Sequence, residues 1–270
     1  MATITREIKL SGICLMSGKE ANVTLCPSDS GKISFYPDKS DVRIDATLEN
    51  VISTVNCTVL GIDGRQIRLV EHFMAACALA EIDSLNVYVD SSELPIFDGS
   101  AKVWYEEFQK AGVSRSPKQS IEFEQPYFLS EGHTSIVLLP SDSFKITYLI
   151  NFDHPELSNR WITHDFKNNS VEIIEARTFG YLNDLEKFQN AGFALGANTD
   201  NTVGLTDDSY TVELRSKFEP VKHKILDLVG DLMLSGVNPL DYKAHIIAKE
   251  AGHRTHIEFA HIIKNKFVVR

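Results

Sequence analysis

The residue types best able to do chemistry stand together at 222–231, Lys-His-Lys-Ile-Leu-Asp-Leu-Val-Gly-Asp. Apolar residues at Val221, Ile225, Leu228, Leu232 and Leu234 predict a helix over 221–235. On such a helix His223 and Asp227, four residues apart, project from one face. Imidazole and carboxylate are both zinc ligands, and a catalytic zinc takes three protein ligands and keeps a fourth position open. The same pair is also an ordinary hydrogen bond on a helix surface, so a metal requires a third ligand from elsewhere. Glu71-His72 offers one at a predicted strand-to-helix junction. The helix dipole would explain Glu71 without any chemistry, but it leaves His72, beside Phe73, unexplained. Two further segments have site-like composition: Ala251-Gly252-His253-Arg254, with a histidine directly after glycine, and Ala176-Arg177-Thr178-Phe179-Gly180, which ends a predicted strand on a hydroxyl. Each also reads as a plain turn.

Elements must carry these residues to one place. In the first half, alternation and turn glycines predict strands at 3–10, 21–25, 32–36, 67–70 and 85–89. Between the last two, EHFMAACALA reads as a short apolar helix, and 102–111 has helical period up to Gly112. Residues 114–120 are polar, include Pro117 and read as a connector. The second half repeats the theme, with strands at 121–128, 134–139, 144–150, 171–176 and 244–248 and helices at 185–190, 221–235 and 255–263. The expected class is α+β, with units 1–113 and 121–270 forming two similar layers that face each other.

Composition narrows the function. The chain has 270 residues, 43% of them hydrophobic, and a formal charge of −10. That balance fits poorly with nucleic-acid binding, which relies on Lys and Arg to neutralise phosphates. Cys14, Cys26, Cys57 and Cys77 form no C-x-x-C pair and read as reduced thiols, with Cys14, Cys26 and Cys77 in the core. The first residues, MATITREIKLSGI, lack the apolar run of a signal peptide. No stretch is long and apolar enough to span a membrane. The expectation is a cytoplasmic monomer.

Five segments taken together, IRLVEHFMAA, ELPIFDGSA, EARTFGY, VKHKILDLVGDL and AGH, resemble in order and separation the UDP-3-O-acyl-N-acetylglucosamine deacetylases, zinc enzymes of the committed step of lipid A synthesis. The resemblance implies two β-α-α-β domains whose helices pack together with the active site between them. It implies a zinc ion held by His72, His223 and Asp227, a ligand set that Fe²⁺ can also use. Glu71 would then be the general base, and His253, oriented by Asp231, the acid that protonates the leaving amine. Thr178 would help hold the oxyanion, and Lys224 would lie near a substrate phosphate. Phe152 would lie near the uracil, with Phe179 also touching the UDP-amino-sugar acyl substrate. Asp98 of the FDGS turn reads as structural. Inserts at about 50–66 and 183–204 would shape the site, the second forming an apolar passage for the acyl chain.

The chain departs from the family pattern at three places. Met16 stands where the family has histidine, Gly196-Ala197 replaces Gly-Gly, and His256 stands where the family has asparagine. These bear on substrate affinity and acyl selectivity more than on hydrolysis. They leave room for an amidase acting on another nucleotide sugar, or for a relative that binds without turnover.

Overall fold

The computed structural model describes residues 1–115 and 120–269. Of the expected connector, 116–119 lie outside the described residues; Val113–Ser114 pairs with Thr3–Ile4 near the N-terminus.

Period-two alternation builds the sheets. Strand Glu20–Pro27 turns Ala21, Val23 and Leu25 into the core and leaves Asn22 and Thr24 on its other face. Its sheet runs Ile8–Ile13, Glu20–Pro27, Leu85–Val89, Ile33–Tyr36, Ile44–Asp45. The pairings along it are antiparallel, antiparallel, parallel and antiparallel. In the second half Tyr127–Glu131, Thr134–Pro140, Tyr242–Lys249, Lys145–Ile150 and Arg160–Asp165 follow one another with the same four senses. The two halves are therefore a structural duplication, and the α+β class with two facing layers is the one observed.

Six α-helices among the described residues complete the layers: α1 (Val70–Leu79), α2 (Lys102–Ala111), α3 (Val171–Ile174), α4 (Leu182–Asn190), α5 (Glu219–Met233) and α6 (His253–Ile263). Every residue from 70 to 78 of α1 is buried, because Phe73 packs on Phe35 of the first sheet, on Trp104 and on Phe108, while another face of the helix meets α5. Beyond its first turn α1 is apolar on all sides, as that enclosed position demands. The contact with α5 is close. A methyl group on Gly230 would overlap the Glu71 carbonyl oxygen, so only glycine lets the two backbones meet there. One continuous apolar core runs through both halves.

Residues of the first expected insert form a small three-stranded sheet, Val51–Ser53, Val59–Ile62 and Arg65–Arg68. The second carries α4 and a strand, Thr202–Leu205, parallel to Thr178–Tyr181. Four expectations need correction. Residues 3–10 are not one strand: Thr3–Ile4 pairs with Val113–Ser114 and Ile8–Ile13 with Glu20–Pro27, in different sheets. Residues 121–128 are not one strand; Ile121–Glu122 pair with Tyr242–Lys243 and Val268–Val269, whereas Tyr127–Glu131 pair with Thr134–Pro140, and Pro126 before Tyr127 has no N–H to give a ladder. The expected strand at 171–176 is the single turn α3, where the Asn169 side chain accepts from Val171 N (2.9 Å) and the Ser170 carbonyl from Ile173 N and Ile174 N (3.0 Å each). Those local polar partners outweigh the alternation. Cys26 is only half-buried, whereas Cys14, Cys57 and Cys77 are buried, and all four are free thiols. No helix among the described residues is long and apolar enough to cross a membrane.

Candidate metal centre

Two helix entries bring the site together, and each passes through a left-handed residue. Leu69, at φ 63°, turns the chain from strand Arg65–Arg68 into α1 and places Glu71 and His72 in the first turn. Phe218, at φ 62°, does the same before α5, whose start carries Pro220 where a missing N–H costs nothing. Left-handed backbone is unfavourable for such residues, so tertiary packing must hold it.

The start of α5 is tied to the Arg177-Thr178 segment. The fully buried Glu219 carboxylate accepts from Arg177 N (2.9 Å), Nε (2.9 Å) and Nη2 (3.1 Å) and from Arg215 N (2.6 Å). Burial alone would raise its pKa; these donors, led by Arg177, hold it below the ordinary value. The clamp sets the Ala176 carbonyl against α5, where it accepts from His223 Nδ1 at 3.0 Å. A carbonyl only accepts, so Nδ1 carries the proton and the Nε2 lone pair is free for a metal.

That lone pair converges with two other groups. Asp227 Oδ1 lies 3.4 Å from His223 Nε2 and 3.6 Å from His72 Nε2. Ligand atoms of all three residues fall within 4.8 Å of one another, and all three side chains are buried. Zinc–ligand bonds of roughly 2.0–2.2 Å in a tetrahedron separate neighbouring ligand atoms by about 3.4 Å. The spacing therefore fits a shared metal and is too long for good hydrogen bonds. Asp227 Oδ1 is buried without a hydrogen-bond partner among the described residues, as a ligand oxygen would be. His72 Nδ1 is also unpartnered there, and its ring rests edge-on against His223 at 4.9 Å. The other Asp227 oxygen accepts from Lys224 Nζ at 2.6 Å. Burial presses the pKa of both imidazoles down, that of His72 to about 3, which keeps them neutral as ligands must be.

Two further ionisable groups, Glu71 and His253, flank this cluster. His253 Nε2 lies 3.9 Å from Glu71 Oε1 and 3.9 Å from Asp227 Oδ2. Glu71 Oε2 accepts from Thr58 N at 3.0 Å. Burial raises its pKa to about 7, with His253 opposing and Asp227 and Asp231 adding to the rise. Burial would lower the pKa of His253, but the carboxylates of Asp231, Glu71 and Asp227 outweigh it and lift the value to about 9. Asp231 accepts from His253 Nδ1 (2.8 Å), His256 Nδ1 (2.8 Å) and Thr58 Oγ1 (2.6 Å). Asp231, His253 and His256 also have metal-ligand spacing, but their 2.8 Å contacts are those of hydrogen bonds.

A match to known sequences covers nearly the whole chain. Residues 1–265 fit the family model described as UDP-3-O-acyl N-acetylglycosamine deacetylase. The chain belongs to this deacetylase family. Proteins named UDP-3-O-acyl-N-acetylglucosamine deacetylase are similar to it in Leptospira biflexa (38% identical over 275 residues, 98% of this chain and 89% of that protein) and in Thermodesulfovibrio yellowstonii (38% over 264 residues, 95% and 89%). A protein of the same name in Thermosynechococcus vestitus is 31% identical over 272 residues, 98% of this chain and 94% of its own.

The residues taken from the deacetylase resemblance fall around two joined cavities. Glu71, His72, Phe152, Thr178, Phe179, His223, Lys224, Asp227 and His253 line one of about 230 Å³. It shares Leu15, Asn56, Thr178, Phe179, Gly180 and Tyr181 with a larger one of about 990 Å³. Met16 and Ala197 line the larger cavity. Gly196 lies behind that wall, where a methyl would overlap the Cys14 carbonyl, and its N–H donates to Leu15 O at 3.0 Å. The Met16 loop is pinned by buried Glu93, which accepts from Met16 N (2.6 Å) and Ser17 N (3.2 Å). Asp98 accepts from Ser100 N and Oγ and from Arg215 Nη1 (2.7 Å), buttressing the turn whose Gly99 carbonyl accepts from Thr178 N at 2.8 Å. The sequence reading gave no role to Thr58, Tyr148, Glu93, Arg177 or Glu219. His256 had a signal, a second histidine three residues after His253; Thr58 falls in the first expected insert and Tyr148 in an expected strand, and neither setting gives a signal.

Proposed function

We propose that this chain hydrolyses the N-acetyl group of a UDP-linked 3-O-acyl-N-acetylglucosamine, the reaction of lipid A synthesis, as a cytoplasmic zinc enzyme. The observation that carries the reading is the buried His72–His223–Asp227 cluster with Glu71 and His253 beside it, their pKa values at about 7 and about 9. His72, His223 and Asp227 would hold the zinc, which would supply Lewis acidity and lower the pKa of water. Glu71 takes the proton of the attacking water as oxygen adds to the amide carbon. The Thr178 hydroxyl donates to the oxygen on which charge develops. His253 then gives a proton from Nε2 to the nitrogen as the C–N bond breaks, leaving acetate and a free amine. Lys224 balances the charge of Asp227 and faces the same cavity, where it also attracts phosphate. Phe152 and Phe179, edge to face at 5.3 Å, offer an aromatic wall for the uracil. The acyl chain occupies the larger cavity, whose lining includes Leu15, Leu185, Phe188 and Phe193.

The test is acetate release from the UDP-3-O-acyl amino sugar by purified, zinc-loaded protein, with one free amine formed per acetate. Cleavage of a different N-acyl nucleotide sugar in its place would favour the second reading, for which the thioether of Met16 in the cavity wall is the motive. Zinc binding with no cleavage of any amide would refute both.

A further inference from the structure

Asp231 has two carboxylate oxygens, is fully buried and receives three side-chain donors. Oδ1 takes Thr58 Oγ1; Oδ2 takes both His253 Nδ1 and His256 Nδ1, each at 2.8 Å. Both imidazoles come from the first turn of α6, three residues apart, so they share a helix face. Two N–H groups on Oδ2 and one O–H on Oδ1 leave the carboxylate no rotation that keeps all three bonds. On its far side the Tyr148 hydroxyl lies 2.9 Å from His256 Nε2 and 2.7 Å from the Ala251 carbonyl, and its single proton is shared between these two acceptors. Ala251 stands two residues before His253, in the turn that opens α6. The contacts thus close a ring: Ala251 carbonyl, Tyr148, His256, Asp231, His253 and back along the chain to Ala251. It holds the His253 backbone at one end and its side chain at the other.

We propose that His256 and Tyr148 are positioning residues, which aim His253 Nε2 at the reacting nitrogen by fixing Asp231 and the α6 turn together. The inference rests on the deacetylation reading above. Both residues are fully buried, and burying an imidazole and a phenol leaves polar atoms that cost about 1–3 kcal/mol each if unpaired. Apolar side chains of equal volume would fill the space without that requirement. What the polar pair adds is direction, and the rate of a proton transfer depends on direction. Displacing a reacting group by about 1 Å can cost a hundredfold.

The experiment compares zinc-loaded wild type with His256→Ala, His256→Asn, His256→Gln, Tyr148→Phe and the double variant His256→Ala/Tyr148→Phe. Asparagine places its amide N–H where His256 Nδ1 stood and restores the donor to Asp231; glutamine reaches towards Tyr148 instead. His256→Ala should lower kcat by roughly tenfold to a hundredfold with KM within about twofold. His256→Asn should recover most of that loss and His256→Gln should not. Tyr148→Phe should lower kcat in wild type and have no further effect once His256 is alanine. The proposal is overturned if KM rises while kcat holds, if asparagine does no better than alanine, or if the two losses simply multiply. Tyr148→Phe keeps the ring volume, so it tests the ring even if His256→Ala fails to fold. Should wild type release no acetate, the function reading fails separately. The ring is then judged by NMR of ¹⁵N-histidine protein: exchange-protected Nδ1–H signals from His253 and His256 in wild type, with that of His253 lost in folded His256→Ala. Retention of the His253 signal there would overturn it.

Discussion

At the scale of single residues the proposed reaction depends on opposed proton affinities. Glu71 must be ionised to accept a proton and His253 must be protonated to donate one. With Glu71 raised to about 7 and His253 to about 9, kcat/KM is expected to rise on an acidic limb near 7 and fall on a basic limb near 9. Glu71→Gln should lower the rate by about 10²–10⁴-fold and abolish the acidic limb while metal content stays normal. A retained acidic limb at near-full rate would mean that another base acts. The metal cluster has no spare ligand, so His223→Ala should strip most of the zinc, as measured by elemental analysis of purified protein. Met16 is half-buried, lines the larger cavity and is held by its backbone on Glu93. Its thioether donates no hydrogen bond. Met16→His should therefore lower KM by about ten- to a hundredfold, from a bond to a charged group worth roughly 1.5–3 kcal/mol. An unchanged KM with a lower Tm would make Met16 a packing residue.

At the scale of elements, the proposed chemistry would depend on the distance between α1 and α5. One helix carries Glu71 and His72, the other His223, Asp227 and Asp231, and Gly230 is where their backbones touch. Gly230→Ala gains about 1 kcal/mol of helix propensity and loses more by forcing the helices apart, overpacking of this kind costing about 1–3 kcal/mol. The expected result is a lower Tm together with a loss of kcat and zinc affinity larger than the stability change explains. A more stable, fully active variant would show that the helices have slack. Helix positions were legible in the sequence to within a few residues, because apolar period and the flanking turns fix them. The left-handed entries at Leu69 and Phe218 were not, because neither residue type favours that backbone and only packing imposes it. The α3 turn was misread for a similar reason: its alternation is strand-like, and its partners Asn169 and Ser170 act through local hydrogen bonds that periodicity does not register.

At the scale of the whole molecule, the duplicated layers share one core, so neither half can unfold without exposing the other's apolar face. A single calorimetric transition is expected in the metal-free protein, and two resolved transitions would contradict the shared core. The proposed zinc would lie between elements of both halves, so it should stabilise the folded state as a whole. At about a hundredfold over its Kd the gain is roughly 2.7 kcal/mol, seen as a higher Tm that His223→Ala lacks. The sequence by itself determined the class, the main helices and the residue types of the site, because periodicity and ligand chemistry are properties of short segments. His72 and Asp227 are 155 positions apart in the chain. That they share a point in space, that the Ala176 carbonyl orients His223, and that Thr58 and His256 converge on Asp231, only the tertiary structure decided. Such contacts arise from packing one layer on another, and nothing in the local sequence encodes which distant backbone or side-chain group will be waiting on the other side.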